Sequence, residues 1–83
     1  MTDFSEVYLR INMKTIKIVT EYITLGQFLK YIGEIGSGAT AKQFLLDNIV
    51  LINGEREQRR GRKIYPGYII RIDKVDYLIG SDL

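Results

Sequence analysis

The sequence predicts an α+β fold in a single domain, with two helices ahead of a cluster of short strands. Its 83 residues suffice for one hydrophobic core and leave no room for a second. Hydrophobic residues make up 46% and charged residues 27% of the chain, which is typical of globular domains rather than of disordered ones. Two segments carry apolar residues at helical spacing, while the flanking segments alternate as strands do.

The first strand and the first helix are predicted from local patterns. Residues 14–19 are rich in β-branched side chains that alternate with polar ones, which indicates a strand. A helix then begins at Thr24, because Thr24 and Gln27 have the spacing of a capping box. Its apolar stripe consists of Leu25, Phe28, Leu29 and Ile32. We expect this helix to end at Gly33 or Gly36.

A second helix is predicted from residue 37 onwards. The positions at helical spacing are Ala41, Phe44, Leu45 and Asn48 or Ile49. Ser37 and Thr40 compete as the N-cap, and we favour Ser37. The helix should end near Asp47, with Asn48 in a left-handed conformation, because asparagine often replaces glycine there.

A hairpin follows the helices. Residues 49–52 form a short apolar strand, and Asn53-Gly54 is a strong signal for a two-residue hairpin turn. The next strand should begin at residue 55 or 56. If it stays extended, its two-residue period places Arg56, Gln58, Arg60 and Arg62 on one side.

Two more strands complete the predicted fold. Pro66-Gly67 fits a type II turn, after which Tyr68, Ile70 and Ile72 alternate with Ile69, Arg71 and Asp73. A last strand covers residues 75–79. The alternation places Tyr68 and Tyr77 in the core and leaves Tyr65 as a candidate for stacking on a nucleic-acid base.

The basic residues are concentrated in one segment, although the net charge is only +2. Residues 54–71 contain six basic and two acidic residues, and five of the six are arginine. Arginine suits phosphate and base edges better than lysine does, so the cluster favours nucleic-acid binding. The alternative is a solvated strand edge, where charge prevents aggregation. We predict that Glu55 and Glu57 are solvated strand residues.

The start of the second helix offers another candidate anion site. Ser37 and Gly38 would expose backbone N–H groups at the positive end of the helix dipole. Lys42 opposes that dipole in the first turns, which is unfavourable unless an anion binds there. A solvated helix face is the alternative interpretation of Lys42.

The sequence argues against catalysis. It contains no histidine and no cysteine, which removes the usual general base, the thiolate nucleophile and most zinc sites. We therefore expect no enzymatic activity, no cofactor, no metal site and no small-molecule substrate. The absence of cysteine, of a long apolar run and of a signal-like segment predicts a cytoplasmic protein without membrane contact.

The order and spacing of several motifs resemble a known family. They are Ser37-Gly38-Ala39-x-Ala41-Lys42, Val50-Leu51-Ile52-Asn53-Gly54-Glu55, Arg59-Arg60-Gly61-Arg62-Lys63 and Pro66-Gly67, preceded by the stretch from Thr20 to Lys30. Together they resemble the RNA-binding domain of small-subunit ribosomal protein S-four, in the short stand-alone form of the YaaA/YbcJ type. The similarity covers residues 14–79. It implies the alpha-L RNA-binding motif, in which two packed helices precede a small, curved β-region.

The resemblance also implies a function and a set of site residues. In the family, the start of the second helix and the adjacent basic loop share one RNA-facing surface. The corresponding residues here are Ser37, Gly38 and Lys42 at the helix start, and Arg56, Arg59, Arg60, Arg62 and Lys63 in the basic loop. Larger relatives attach this module to pseudouridine synthases or tyrosyl-tRNA synthetases and keep the chemistry elsewhere. The implied function is non-catalytic binding of structured RNA, either ribosomal RNA or a ribosome assembly intermediate.

Two departures from the family and two alternative functions remain open. Asn48 stands where the family usually has glycine, and residues 1–12 have no counterpart, so we expect a disordered N-terminal extension followed by a domain of residues 13–83. A small protein-interaction adaptor is one alternative, although a sulfur carrier would need a C-terminal Gly-Gly that this chain lacks. Single-stranded DNA binding is the other, and it would require several exposed aromatic residues. We expect a monomer.

Overall fold

A computed structural model describes residues 13–36 and 40–83. The predicted extension of residues 1–12 lies outside the described residues, as do Ser37 and Gly38. The described part contains two helices and seven strands, which agrees with the predicted α+β class. The elements are β1 Met13–Ile18, β2 Ile23–Thr24, α1 Leu25–Tyr31, α2 Ala41–Asp47, β3 Val50–Ile52, β4 Glu55–Arg56, β5 Lys63–Ile64, β6 Ile69–Ile72 and β7 Val75–Ser81.

Five of the strands form one mixed sheet in the order β1-β7-β6-β3-β4. Strand β1 is parallel to β7, with Ile16 opposite Ile79, and the other neighbours in this sheet are antiparallel. The short strands β2 and β5 form a separate antiparallel pair, with Ile23 opposite Ile64. Strand β2 lies in the chain directly before α1, and its pairing with β5 links the helical half of the domain to its second half.

The core lies between the helices and one face of the sheet. Helix α1 buries Leu25, Phe28 and Leu29, and helix α2 buries Ala41 and Leu45. The sheet contributes Ile18, Val50, Ile52, Ile70, Ile72, Tyr77 and Ile79 to the same cluster. The rings of Phe28 and Tyr77 meet edge to face with their centroids 5.3 Å apart. Tyr77 is therefore a core residue, as its place in the strand pattern predicts.

The start and the end of α1 follow the sequence signals. The Thr24 amide donates to the Gln27 side-chain oxygen at 2.8 Å, and the Gln27 amide donates to Oγ1 of Thr24 at 3.2 Å. These reciprocal bonds are the predicted capping box. At the other end Gly33 has φ of +82°, a left-handed conformation that glycine adopts without strain. The helix therefore ends at the first of the two predicted glycines.

The end of α2 corrects one prediction. The helix ends at Asp47 as expected, but Asn48 has φ of −127° and ψ of 149°, which is extended rather than left-handed. Its side chain explains the difference, because Nδ2 donates to the carbonyl oxygen of Phe44 at 3.0 Å and so caps the helix. A left-handed residue is then unnecessary, and the chain continues directly into β3. At the other end the helix begins at Ala41 with Thr40 at the N-cap position, while Ser37 lies outside the described residues.

Both predicted turns are present. Asn53 and Gly54 have φ of +51° and +87°, the two positive values that a type I′ hairpin turn requires. Gly67 has φ of +94°, and the Tyr68 amide donates to the Tyr65 carbonyl oxygen at 3.1 Å, as in a type II turn.

The strand after the hairpin is much shorter than the alternation predicts. Strand β4 ends at Arg56, and residues 57–62 leave the sheet as a loop. The predicted row of Arg56, Gln58, Arg60 and Arg62 on one side of a strand is therefore wrong. Arg56 lies directly opposite Leu51, which in turn lies opposite Arg71, so Arg56 is on the outer face of the sheet. The other three residues belong to the loop.

Candidate nucleic-acid interface

Residues 57–62, which we call the arginine loop, are anchored to both halves of the domain by backbone hydrogen bonds. At one end the amide of Glu57 donates to the carbonyl oxygen of Val50 in β3 at 2.9 Å. At the other end the amides of Leu25 and Gly26 donate to the carbonyl oxygens of Arg62 and Arg60, both at 2.8 Å. The backbone of the loop is thus fixed between β3 and the first turn of α1.

These contacts also decide what the N-terminus of α1 can bind. The first amides of a helix have no partner within the helix and can bind an anion. In α1 the loop carbonyls occupy the amides of Leu25 and Gly26, and the capping box occupies that of Gln27. The N-terminus of α1 therefore serves to hold the arginine loop and has no free amide among these three for a phosphate.

The Glu57 carboxylate lies at the centre of the loop and corrects another prediction. Its side chain is only 8% exposed, whereas the sequence predicts a solvated strand residue. Oε2 accepts from Nε of Arg59 at 3.0 Å, while Oε1 accepts from Nη2 of Arg59 at 3.0 Å and from Nη1 of Arg62 at 2.8 Å. The backbone amides of Gln58 and Arg59 also donate to Oε2, at 3.0 and 3.1 Å. The side chain is buried because the chain turns away from the sheet at Glu57 and two arginines neutralise the carboxylate.

This environment keeps Glu57 ionised. The hydrogen bonds from the Arg59 side chain, assisted by those from Arg62, lower the pKa of Glu57 to about 2, although burial acts in the opposite direction. In turn the carboxylate raises the pKa of both Arg59 and Arg62. At neutral pH the loop therefore carries an ionic cluster of one carboxylate and two guanidinium groups.

The arginines of the loop differ in how far they reach into solvent. The Arg59 side chain is 75% exposed despite its bond to Glu57, and that of Arg62 is 34% exposed. Arg60 is exposed, and its side chain has no ion-pair partner among residues 13–36 and 40–83. The loop thus presents positive charge outwards while its backbone is fixed.

A cleft joins the arginine loop to the starts of both helices. Its volume is about 360 Å³, and it is lined by Thr24, Gly26, Gln27, Lys30, Ala41, Arg60 and Gly61. Lys42, the predicted helix-start residue, follows Ala41 as the second residue of α2 and is exposed. The structure thus brings Arg60 of the arginine loop and Ala41 of α2 to the same cleft. Ser37 and Gly38, the other two predicted helix-start residues, lie outside the described residues.

Lys30 is a further cation of this region that the sequence analysis missed. It is exposed near the end of α1 and lines the cleft together with Gln27, three residues earlier on the helix. The signal was present in the sequence, since Lys30 lies on the polar side of the predicted helix. Lys30 differs from an ordinary solvated lysine only because Arg60 lines the same cleft.

Tyrosine side chains border the same end of the molecule. The ring of Tyr65 lies 5.6 Å from that of Tyr22 and 5.8 Å from that of Tyr68 between centroids, and all three are half-buried. Nζ of Lys63, in β5, lies 4.8 Å from the centroid of the Tyr22 ring. Tyr65 is thus part of an aromatic cluster rather than an isolated exposed ring, and Lys63 lies beside it.

The residues that the structure describes contain no group of three or more acidic, histidine or cysteine side chains that could hold a metal ion. In the same part of the chain, no helix has the length and apolar character needed to cross a membrane.

Comparisons with known proteins give the family. The model of the S4 domain matches residues 16–80. A protein of Bacillus subtilis (strain 168) named "Probable ribosome maturation protein RlbA" is 53% identical to this chain over 58 residues, which is 70% of this chain and 82% of that protein. The arginine loop, the cleft and both helices fall within the matched residues 16–80.

Proposed function

This chain belongs to the S4 domain family, and we propose that it binds structured RNA without catalysis, with ribosomal RNA or a ribosome assembly intermediate as its target. The family match agrees with the stand-alone domain of the ribosomal protein S-four type that the motifs predict. The name of the B. subtilis relative refers to ribosome maturation, and it supports the choice of ribosomal RNA. A cytoplasmic location is part of this proposal.

The observation that carries the proposal is the fixed backbone of the arginine loop beside the start of α2. A loop whose carbonyls are bound by the Leu25 and Gly26 amides presents its side chains from a defined position. Phosphate contacts of this kind position a protein on folded RNA, and the shape of the RNA supplies much of the recognition. A rigid basic surface suits such a target better than it suits a flexible single strand.

The proposed interface has a centre and a periphery. At its centre lie Arg59, Arg60 and Arg62, with Lys42 on the adjoining helix. Lys63 lies beside the loop, and Arg56 would reach the RNA from the neighbouring face of the sheet. Ser37 and Gly38 belong to the proposal by their position in the family motif. Lys30 is an addition that the cleft suggests.

A salt titration of RNA affinity tests this function. The probes are radiolabelled small-subunit and large-subunit ribosomal RNAs transcribed in vitro, and crosslinking in cells followed by sequencing identifies the bound segment. If about five phosphates are contacted, log K should fall against log salt with a slope of roughly −3 to −4. Failure of the wild-type protein to bind either RNA at low salt would reject the function.

Charge reversal locates the interface. The variant Lys42→Glu/Arg60→Glu should bind RNA much more weakly and stay folded by circular dichroism, because both side chains are exposed and exposed charges contribute little to stability. The matched control is Lys14→Glu/Lys17→Glu, which reverses two exposed charges on β1 at the opposite edge of the sheet. Equal loss in both variants would mean that net charge, and not this surface, governs binding.

A further inference from the structure

We propose that Glu57 is a positioning residue of the RNA interface: its carboxylate holds the guanidinium groups of Arg59 and Arg62 so that their remaining N–H groups face the RNA phosphates. This inference rests on the proposed function. It concerns a buried carboxylate in the middle of the basic surface. The sequence pattern does not predict that this carboxylate is buried or that it binds two arginines.

The geometry of Arg59 supports this role most directly. Nε and Nη2 donate to the two carboxylate oxygens in a bidentate pair, both at 3.0 Å. This contact uses two of the five N–H groups of a guanidinium and leaves three for another partner. Because the side chain is 75% exposed, these three groups are accessible to a ligand. The bidentate bond fixes the plane of the guanidinium and hence the direction of its free edge.

Arg62 is held by the same carboxylate through a single bond of 2.8 Å from Nη1. One carboxylate therefore sets the relative orientation of two like-charged side chains that would otherwise repel each other. Glu57 is itself fixed, because its amide is bound to the carbonyl oxygen of Val50 and its Oε2 accepts from the amides of Gln58 and Arg59. Each link from β3 to the two guanidinium groups is thus a short hydrogen bond.

Simple electrostatics and the positioning role predict opposite effects on RNA binding when the charge of Glu57 is removed. A carboxylate among phosphate contacts repels the RNA, so removing its charge should strengthen binding slightly. If Glu57 orders the arginines in advance, removing its charge should weaken binding, because the RNA must then immobilise two flexible side chains. The sign of the change therefore separates positioning from simple charge.

The first experiment compares Glu57→Gln with Glu55→Gln, using the radiolabelled ribosomal RNAs described above. Both variants remove one negative charge from the same segment, but Glu55 is exposed on β4 and has no ion pair with Arg59 or Arg62. We expect Glu57→Gln to weaken RNA binding roughly five- to tenfold, the loss of two preorganised side chains. Glu55→Gln should bind as well as the wild type or slightly more tightly. Equal or tighter binding by folded Glu57→Gln would overturn the inference and leave the proposed function intact.

A second experiment tests whether Glu57 acts through the arginines or merely holds the loop. In the background Arg59→Ala/Arg62→Ala, the change Glu57→Gln should no longer weaken binding, since the groups that it positions are gone. A loss of the same size in that background would show a general effect on loop structure and overturn the positioning role. If Glu57→Gln does not fold, Arg59→Lys replaces it, because this exposed change keeps the charge and removes the planar fork. Binding of Arg59→Lys equal to that of the wild type would also overturn the inference.

Discussion

The backbone amide of Gly26 donates a 2.8 Å hydrogen bond to the carbonyl oxygen of Arg60, which joins helix α1 to the arginine loop. A side chain at position 26 would lie directly against this loop. A Cβ built on Gly26 would be 3.4 Å from the Arg60 carbonyl oxygen and 3.6 Å from Arg60 Cβ. A methyl group at this position would therefore just touch the loop, and a larger side chain would press against it.

Gly26→Val should displace the arginine loop. The added Cβ of alanine would only reach ordinary contact distance, but the two further methyl groups of valine need space that the loop occupies. Overpacking of this kind costs about 1 to 3 kcal/mol of unfolding free energy. We expect weaker binding of ribosomal RNA by Gly26→Val and near wild-type binding by Gly26→Ala, measured by filter binding. Wild-type affinity in Gly26→Val would show that the loop position does not matter for RNA.

Replacement of Lys42 by alanine should remove one phosphate contact. The slope of log K against log salt should become shallower by about 0.7 to 0.9, with a smaller loss of affinity than the double reversal Lys42→Glu/Arg60→Glu causes. Lys30→Ala should give a change of the same size if the cleft binds RNA. Lys17→Ala, on β1, is the control and should leave the slope unchanged. If Lys42→Ala left both the slope and the affinity unchanged, the start of α2 would not belong to the interface.

The Glu57 carboxylate should make stability sensitive to acid. Its pKa is lowered from the ordinary 4.5 to about 2 in the folded protein, so the unfolded chain takes up the proton first as the pH falls. The stability that the ionised group provides is complete above about pH 4.5 and is lost between there and about pH 2. Thermal melts of wild type and Glu57→Gln should therefore differ at neutral pH and converge in that window. If the difference in melting temperature between the two proteins stayed constant down to pH 2, Glu57 would not have the lowered pKa.

Phe28→Ala and Leu45→Ala should each lower the free energy of unfolding by about 2 to 5 kcal/mol. Both side chains are fully buried, one on each helix, and their truncation leaves a cavity in a small core. Urea unfolding followed by circular dichroism measures the change. Leu46→Ala is the control, because Leu46 is 54% exposed and its truncation should cost within about 0.5 kcal/mol. Either buried variant remaining as stable as the control would exclude its residue from the core.

Features that depend on near neighbours in the sequence were predictable. The capping box needs only Thr24 and Gln27, and the hairpin turn needs only Asn53 and Gly54, so each motif specifies its own geometry. The approximate bounds of α1 and the end of α2 follow from local signals in the same way. Of the candidate site, the basic segment and its nearness to the second helix were also accessible, the latter through family resemblance.

Features that depend on particular side-chain contacts, or on pairing between separate segments, were not predictable from local patterns. Glu57 is polar and directly follows strand β4, so its burial follows only from the bonds to Arg59 and Arg62 and from the loop's anchorage to Leu25 and Gly26. The two-residue strands β2 and β5 are too short to show a period and exist because they pair with each other. The extended conformation of Asn48 was not predictable either, because it depends on the hydrogen bond by which the Asn48 side chain caps the helix.

The parallel pairing of β1 with β7 has a consequence for synthesis of the protein on the ribosome. Ile16 cannot meet Ile79 until nearly all of the described chain has been made, because every other element lies between them in the sequence. Contacts of such long sequence separation carry a large loop-closure cost and slow folding. Until then the segment that becomes β1 has no partner strand, and unpaired strand segments associate readily with other chains. The charged side chains of Lys14 and Lys17, which are exposed on β1, disfavour that association until β7 has been made and can pair with β1.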